Sequence, residues 1–428
     1  MKKFLVIFLI GMFFLGFCLL NIFGINIRLL QAQESGSEGS QNINITLVGV
    51  IKGAGAPNYL DGASSIFVEG NYAYVTSGFK DKDYDNALSI FDISNPSNPT
   101  LAGSIHGAGA PNYLGGANDV YVSGNYAYVT SYDDCSLSIF DISNPSNPTI
   151  KGFIKGYGAP NYLDGAWGVK VVGNYAYVCS ANDAALSIID ISNPSSPKLS
   201  GVIKGYGEPN YLDGSDSIYM SGNYAYIAAY DDNALVIIDV SNPSKPALVK
   251  TLIGEGAPNY MGGPAGVCVS EDYAYIANYD DSSLTIFNVS NPVNPVFEGL
   301  IKGEGEPNYL AGVNSVFISN KKAFITCEDD NALSIIDVSD PSSPTLKGVV
   351  RGAGSPNYLF EAIDVFTRNN YVYVVSSDDN ALSIFEISEK KTDNTPAEND
   401  PNPGQTQTGD DNVSILRQWL RLHNPYSI

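Results

Sequence analysis

Between residues 43 and 388 the apolar positions fall in short runs separated by polar punctuation, with no stripe of helical period. One unit shows the pattern. Asp119 to Ser123, Tyr126 to Ser131, Leu137 to Ile142 and Thr149 to Ile154 are stretches of strand length. Gly124-Asn125 is a two-residue turn in which glycine accepts positive φ. Tyr132 to Ser136 is a polar loop, and Ser143-Asn144-Pro145-Ser146-Asn147-Pro148 is a proline-locked turn. The unit therefore predicts four antiparallel strands. Pairs such as Tyr128-Val129 and Ile139-Phe140 are apolar on both strand faces, as sheets packed between two neighbouring sheets require.

The unit repeats. Pro-Asn-Tyr recurs with its asparagine at Asn58, Asn112, Asn161, Asn210, Asn259, Asn308 and Asn357, at a first interval of 54 residues and then five of 49. The longer interval comes from extra residues in Gly78 to Asn86, with the insertion over Phe79 to Asp85. A fixed period of about 50 marks a solenoid or a propeller, and four strands per period select the propeller. The ends specify closure. Ile45 to Lys52 reads like a fourth strand but precedes the first unit, whereas the seventh unit stops after its third strand, Ala381 to Ile387. The predicted fold is all-β: a seven-bladed β-propeller of four-stranded antiparallel blades over residues 43–388, closed by an N-terminal strand that completes the last blade.

The third strands read Leu88-Ser89-Ile90-Phe91-Asp92, Leu186-Ser187-Ile188-Ile189-Asp190 and Leu235-Val236-Ile237-Ile238-Asp239, each followed by a Ser-Asn-Pro turn. These resemble the LVIVD-repeat family of bacterial and archaeal propellers. The second strands, Tyr74-Val75-Thr76 and Tyr128-Val129-Thr130, are also similar to YVTN propellers of surface-layer-type proteins. The resemblance implies an extracytoplasmic or cell-surface role and carries over no catalytic residue. The third-strand aspartate departs to Asn288 and Glu386.

Outside the repeats, Lys2-Lys3 and the apolar run Phe4 to Phe23 make residues 1–32 a signal peptide or signal anchor, the latter attaching the chain to a membrane. Residues 33–42 read as a polar linker, 389–412 as a disordered acidic linker, and 413–428 as a short C-terminal segment containing Trp419. Sequons stand at Asn44, Asn288 and Asn412.

A formal net charge of −22 argues against nucleic acid as a partner. Of five cysteines, Cys18 lies in the N-terminal apolar run, and Cys135, Cys179, Cys268 and Cys327 in the repeats read as small-residue substitutions, not a disulfide framework. With only His106 and His423, a multi-histidine metal site is excluded.

The chemistry is expected on one face, where the Gly-x-Gly-x-Pro-Asn-Tyr loops leading into each first strand meet the Asp-rich loops between strands two and three. The Asp pairs serve either as turn residues or as weak calcium ligands, with Asp231, Asp232, Asp280, Asp281, Asp329 and Asp330 the candidates and calcium the one cofactor suggested. Pro-Asn-Tyr is expected to pack its tyrosine between blades, the alternative being a ring of stacking platforms. Departures from symmetry supply the ligand-binding candidates: Glu208, Glu255, Glu304 and Glu306 in the lead-in loops, Trp167 beside Lys170 in the third repeat, and Asp119, Asp216 and Asp364 near the starts of innermost strands. These point to a non-enzymatic, extracytoplasmic binding or scaffold propeller whose acidic loop face meets an extracellular protein, glycan or cation. The alternative is an extracellular carbohydrate-active hydrolase or lyase with carboxylates at the channel mouth.

Overall fold

The computed structural model describes residues 43–78 and 84–389. The predicted signal segment, both linkers, the C-terminal segment and residues 79–83 of the insertion lie outside these residues. Among the described residues, 28 strands form seven four-stranded antiparallel sheets arranged as a β-propeller, with no helix. Blade two, Ala117–Ser123, Tyr126–Ser131, Ser136–Asp141 and Thr149–Lys155, shows the order from channel to rim. The middle strands are buried almost throughout, and seven apolar clusters, each drawn from two adjacent blades, make up the core.

Blade seven combines the two ends of the repeat region. Ala362–Arg368, Tyr371–Ser376 and Ala381–Glu389 supply three strands, and Ile43–Lys52 pairs antiparallel with the third. The pairing runs from Ile43↔Glu389 to Lys52↔Ala381, so Glu389 belongs to the blade and not to the expected linker. In other blades the third-strand Asp accepts the N–H of a Ser two residues on, as Asp141 does from Ser143, and so starts the turn to the fourth strand. Asn288 makes the same turn with Ser290. In blade seven the fourth strand arrives from the other end of the chain, no turn is needed, and Glu386 instead accepts from the Asn370 amide.

Rim glycines set the spacing between blades. A Cβ on Gly103, Gly152 or Gly201 would collide with the carbonyl of Pro145, Pro194 or Pro243 in the next blade's turn. Gly49 meets Pro96 in the same way, so the seam between blades seven and one uses the same contact. Gly348 lies under Ile43 and Ile45 instead, because blade seven has no such turn.

Gly49→Ala and Gly152→Ala should each lower unfolding stability by about 1–3 kcal/mol through overpacking. Chemical denaturation measures both, and equal losses are expected if the seam is an ordinary blade interface. A neutral Gly49→Ala alongside a costly Gly152→Ala would show that the seam is looser than the rest of the ring.

Candidate functional site

The loop face is built by a repeated latch. The last Asp of each second-to-third-strand loop accepts two backbone N–H groups from the lead-in loop. Asp134 Oδ2 takes those of Gly109 and Gly115 at 2.8 and 2.6 Å. Asp232 takes those of Gly207 and Asp213, Asp281 those of Gly256 and Gly262, and Asp330 those of Gly305 and Ala311. A third-strand hydroxyl pins the other side of the loop, as Ser138 and Ser187 do by donating to the carbonyls of Asn112 and Asn161. Asp280 and Asp329 accept the hydroxyls of Tyr230 and Tyr279 from the preceding blade, at 3.0 and 3.4 Å. Asp231 lies over Gly214. The six calcium candidates are thus placed in loops that the backbone and tyrosines hold. Among the described residues no group of three or more His, Cys, Asp or Glu is spaced to hold a metal ion.

The Pro-Asn-Tyr tyrosines are half-buried, and Tyr211 and Tyr309 pack against the apolar clusters between blades three and four and between blades five and six, as expected. Each Pro-Asn-Tyr proline follows a cis peptide bond, and each tyrosine has φ near 50°. The ring turns back onto the last residue of its own blade's rim strand, which is basic in six blades. Lys155 lies 4.3 Å from the Tyr113 ring centroid, Lys204 4.2 Å from Tyr162, Arg351 3.9 Å from Tyr309 and Lys52 4.6 Å from Tyr358. Lys302 covers Tyr260, and His106 stacks on Tyr59. A cation over an aromatic face is attractive, and each pair fastens loop to rim. These rings each have a face already covered, which argues against a ring of open platforms.

Innermost strands line the central channel, a cavity of about 360 Å³. Their channel edges carry N–H groups with no ladder partner, and side chains of the preceding blade satisfy several of them. Asp119 Oδ2 accepts the Val169 N–H at 2.8 Å, Asp364 Oδ2 the Ile66 N–H at 2.9 Å, and Ser217 Oγ the Val267 N–H at 3.3 Å. Asp119 also meets Lys170 Nζ at 3.2 Å. Burial alone would pull the Lys170 ammonium down, but Asp119 outweighs it and holds the pKa above the usual lysine value. Ser65 Oγ lies 2.9 Å from both Asp119 Oδ1 and Asp364 Oδ2, and Ser315 donates to Asp364 at 2.7 Å. A polar chain therefore runs Lys170–Asp119–Ser65–Asp364–Ser315 through blades three, two, one, seven and six. Two residues further along the same strands, Tyr121, Phe67, Phe366 and Phe317 touch in that order, with centroids 4.8–5.2 Å apart.

The structure thus brings Asp119, Trp167, Asp216 and Asp364 together in the channel wall, and leaves Glu208, Glu255, Glu304 and Glu306 exposed on lead-in loops outside it. Asp364 and Asp216 differ. Burial raises the Asp364 pKa, and donors from Ser315 and Ile66 partly offset this. Asp216 has no donor within hydrogen-bonding distance among the described residues. It is half-buried in the channel wall, and desolvation, with the Asp231 charge adding to it, pushes its carboxyl well above the usual value. Trp167 stands at the equivalent position of blade three, edge-on to Tyr132 at 5.5 Å. The four described cysteines are free and buried, and burial pushes the Cys268 thiol up to about 12.

Two carboxylates in this structure should respond oppositely to substitution. Asp281→Ala leaves two loop N–H groups without an acceptor and should destabilise by about 1–3 kcal/mol. Asp216→Asn removes a half-buried charge that no protein donor meets and should raise stability at pH 7. The sign follows from linkage. A carboxyl whose pKa rises on folding makes the folded state bind its proton more tightly, so its penalty is full above the folded pKa and fades as pH falls toward the ordinary 3.8. The gap between wild type and Asp216→Asn should therefore close on acidification; a gap that is constant with pH in denaturation curves would exclude the charge as its cause.

The LVIVD repeat profile matches residues 62–106, 114–155, 165–204, 214–252, 262–302 and 312–351. These are blades one to six; the seventh repeat is divided between the two ends of the ring. No curated protein matches the chain at significant sequence similarity. Among solved structures, virginiamycin B lyase from Staphylococcus aureus superposes with a TM-score of 0.57 at 10% identity, over 81% of this chain and 100% of the lyase. Raptor from Chaetomium thermophilum gives 0.59 at 10%, over 82% of this chain and 30% of Raptor. The computationally designed protein Ika8 gives 0.52 at 10%, over 79% of this chain and 99% of Ika8. At such identities the likeness concerns the fold alone. The six profile matches across the ring identify the chain as a member of the LVIVD-repeat family of propellers.

Proposed function

We propose that this chain is a non-enzymatic binding propeller that works outside the cytoplasm and meets a protein partner through its acidic loop face. One observation carries this reading: on that face the exposed groups are not the ones that hold the fold. Glu208, Glu255, Glu304 and Glu306 project from lead-in loops whose backbones are latched by other carboxylates. Tyr157 and Tyr206, 73% and 62% exposed, stand on the same loops of blades three and four. Carboxylates and tyrosines on a rigid frame suit a partner with a basic surface, and the loops need little ordering on binding. The Lys2-Lys3 and Phe4 to Phe23 segment supports export. No helix of the described residues is long and apolar enough to cross a membrane.

The hydrolase or lyase alternative rests on Asp216, the one channel carboxylate without a donor. Asp119 and Asp364 are occupied by backbone N–H groups, a lysine and serines, which leaves no second carboxylate with an uncommitted role.

The test is site-specific photo-crosslinking in cells that make the full chain, with a benzophenone side chain at Tyr157, Tyr206 or, on the opposite face, Val293. Adducts to one protein species from positions 157 and 206, weakened by added salt, and none from 293 are the expected outcome. Adducts that are equal from both faces, or only glycan adducts, would overturn the reading.

A further inference from the structure

We propose that the central channel binds a small organic cation, a protonated amine with an apolar body, whose charge sits against Asp216 beside the Trp167 ring. The site lies inside the ring and does not depend on the loop-face reading.

Charge comes first. Three aspartates and one lysine line the cavity. Lys170 is already paired with Asp119, and Asp364 accepts from Ser65, Ser315 and the Ile66 N–H. Of the two negative charges left without a cation, that of Asp364 is held by these neutral donors and that of Asp216 by none among the described residues. Asp216 is half-buried in the channel wall with no protein donor, and a cationic guest in the channel would meet its charge directly.

Shape comes next. On the side of blades six, seven, one and two, the aromatic series Phe317, Phe366, Phe67 and Tyr121 fills the channel. At the corresponding positions of blades three, four and five stand Lys170, Tyr219 and Cys268, while the row that carries Ser315, Asp364, Ser65 and Asp119 continues there as Gly168, Ser217 and Gly266, with no side chain larger than serine. A Cβ on Gly168 or Gly266 would press on the next blade's backbone carbonyl, that of Asp216 or Asn314, so these positions stay small for a packing reason. Asp216 lines this cavity together with Trp167, its counterpart in the preceding blade, and Tyr219 of its own strand. A volume of about 360 Å³ suits a small molecule.

The kind of cation follows from the donor set. A hard metal ion requires about six or more oxygens, and no group of three or more ligating side chains is spaced for one among the described residues. An ammonium needs one carboxylate and gains from aromatic faces, while an apolar body replaces channel water against Tyr219 and Met220.

The experiment is calorimetry and thermal unfolding of the full chain with phenethylamine, tyramine and choline as probes, and with phenylacetate and 2-phenylethanol as anionic and neutral counterparts. At least one amine should bind and raise the unfolding temperature, and the two counterparts should not. Asp216→Asn should weaken the amine by about tenfold or more, and Trp167→Leu should weaken it to a lesser degree. The proposal is overturned if none of the three amines binds at about 5 mM, if phenylacetate binds equally, if Asp216→Asn binds the amine unchanged, or if calcium chloride alone gives the Asp216-dependent stabilisation.

Discussion

Closure is the constraint on which everything else rests. A four-stranded sheet with two apolar faces cannot exist alone in water, and seven of them bury those faces only if the last meets the first. The pairing of Ile43–Lys52 with Ala381–Glu389 performs that meeting with the two ends of the repeat region. It also gives blade one an ordinary neighbour, since Gly49 receives the Pro96 carbonyl just as Gly152 receives that of Pro194. The channel exists because the ring closes, and its unpaired strand edges create the demand that Asp119, Asp364 and Ser217 meet.

The same economy explains why so acidic a face does not fly apart. Most of its repeated carboxylates point inward to backbone N–H groups, where a negative charge is an asset. Asp134, Asp232, Asp281 and Asp330 each turn two donors that a tight loop would otherwise strand. Opposite charge is brought in at the rim, where Lys155, Lys204 and Arg351 lie over tyrosines of the same loops. What remains exposed, chiefly the lead-in glutamates, is borne by a frame that does not depend on it.

The sequence displayed the fold almost completely because the repeats are near copies. Seven asparagines at a regular interval give the blade number, and an orphan fourth strand before the first unit gives the closure. The site was harder to read. A basic residue precedes nearly every lead-in glycine, at Lys52, His106, Lys155, Lys204, Lys302 and Arg351, and this signal for the tyrosine stacks was visible but not used. The pairing of Lys170 with Asp119 spans 51 residues, one repeat plus two positions, and only the ring geometry makes such positions neighbours. Whether an Asp in Asp-Asp-Asn latches a loop or faces outward depends on backbone direction, which composition does not carry.

Internal repetition supplies its own control. The latch aspartate recurs in all seven blades, at Asp85, Asp134, Asp183, Asp232, Asp281, Asp330 and Asp379, each accepting lead-in N–H groups. A role needed seven times is a role in folding. The second position of the innermost strand varies instead: Ser64, Asn118, Trp167, Asp216, Ala265, Asn314 and Ile363, with Asp216 its one charged member. Where Ser64 donates to carbonyls of blade two and Asn314 to Glu328, the side chain serves the ring. The Asp216 carboxylate accepts no hydrogen bond from the ring among the described residues, and its neighbours at this position are neutral. In this molecule the channel is the space that it lines.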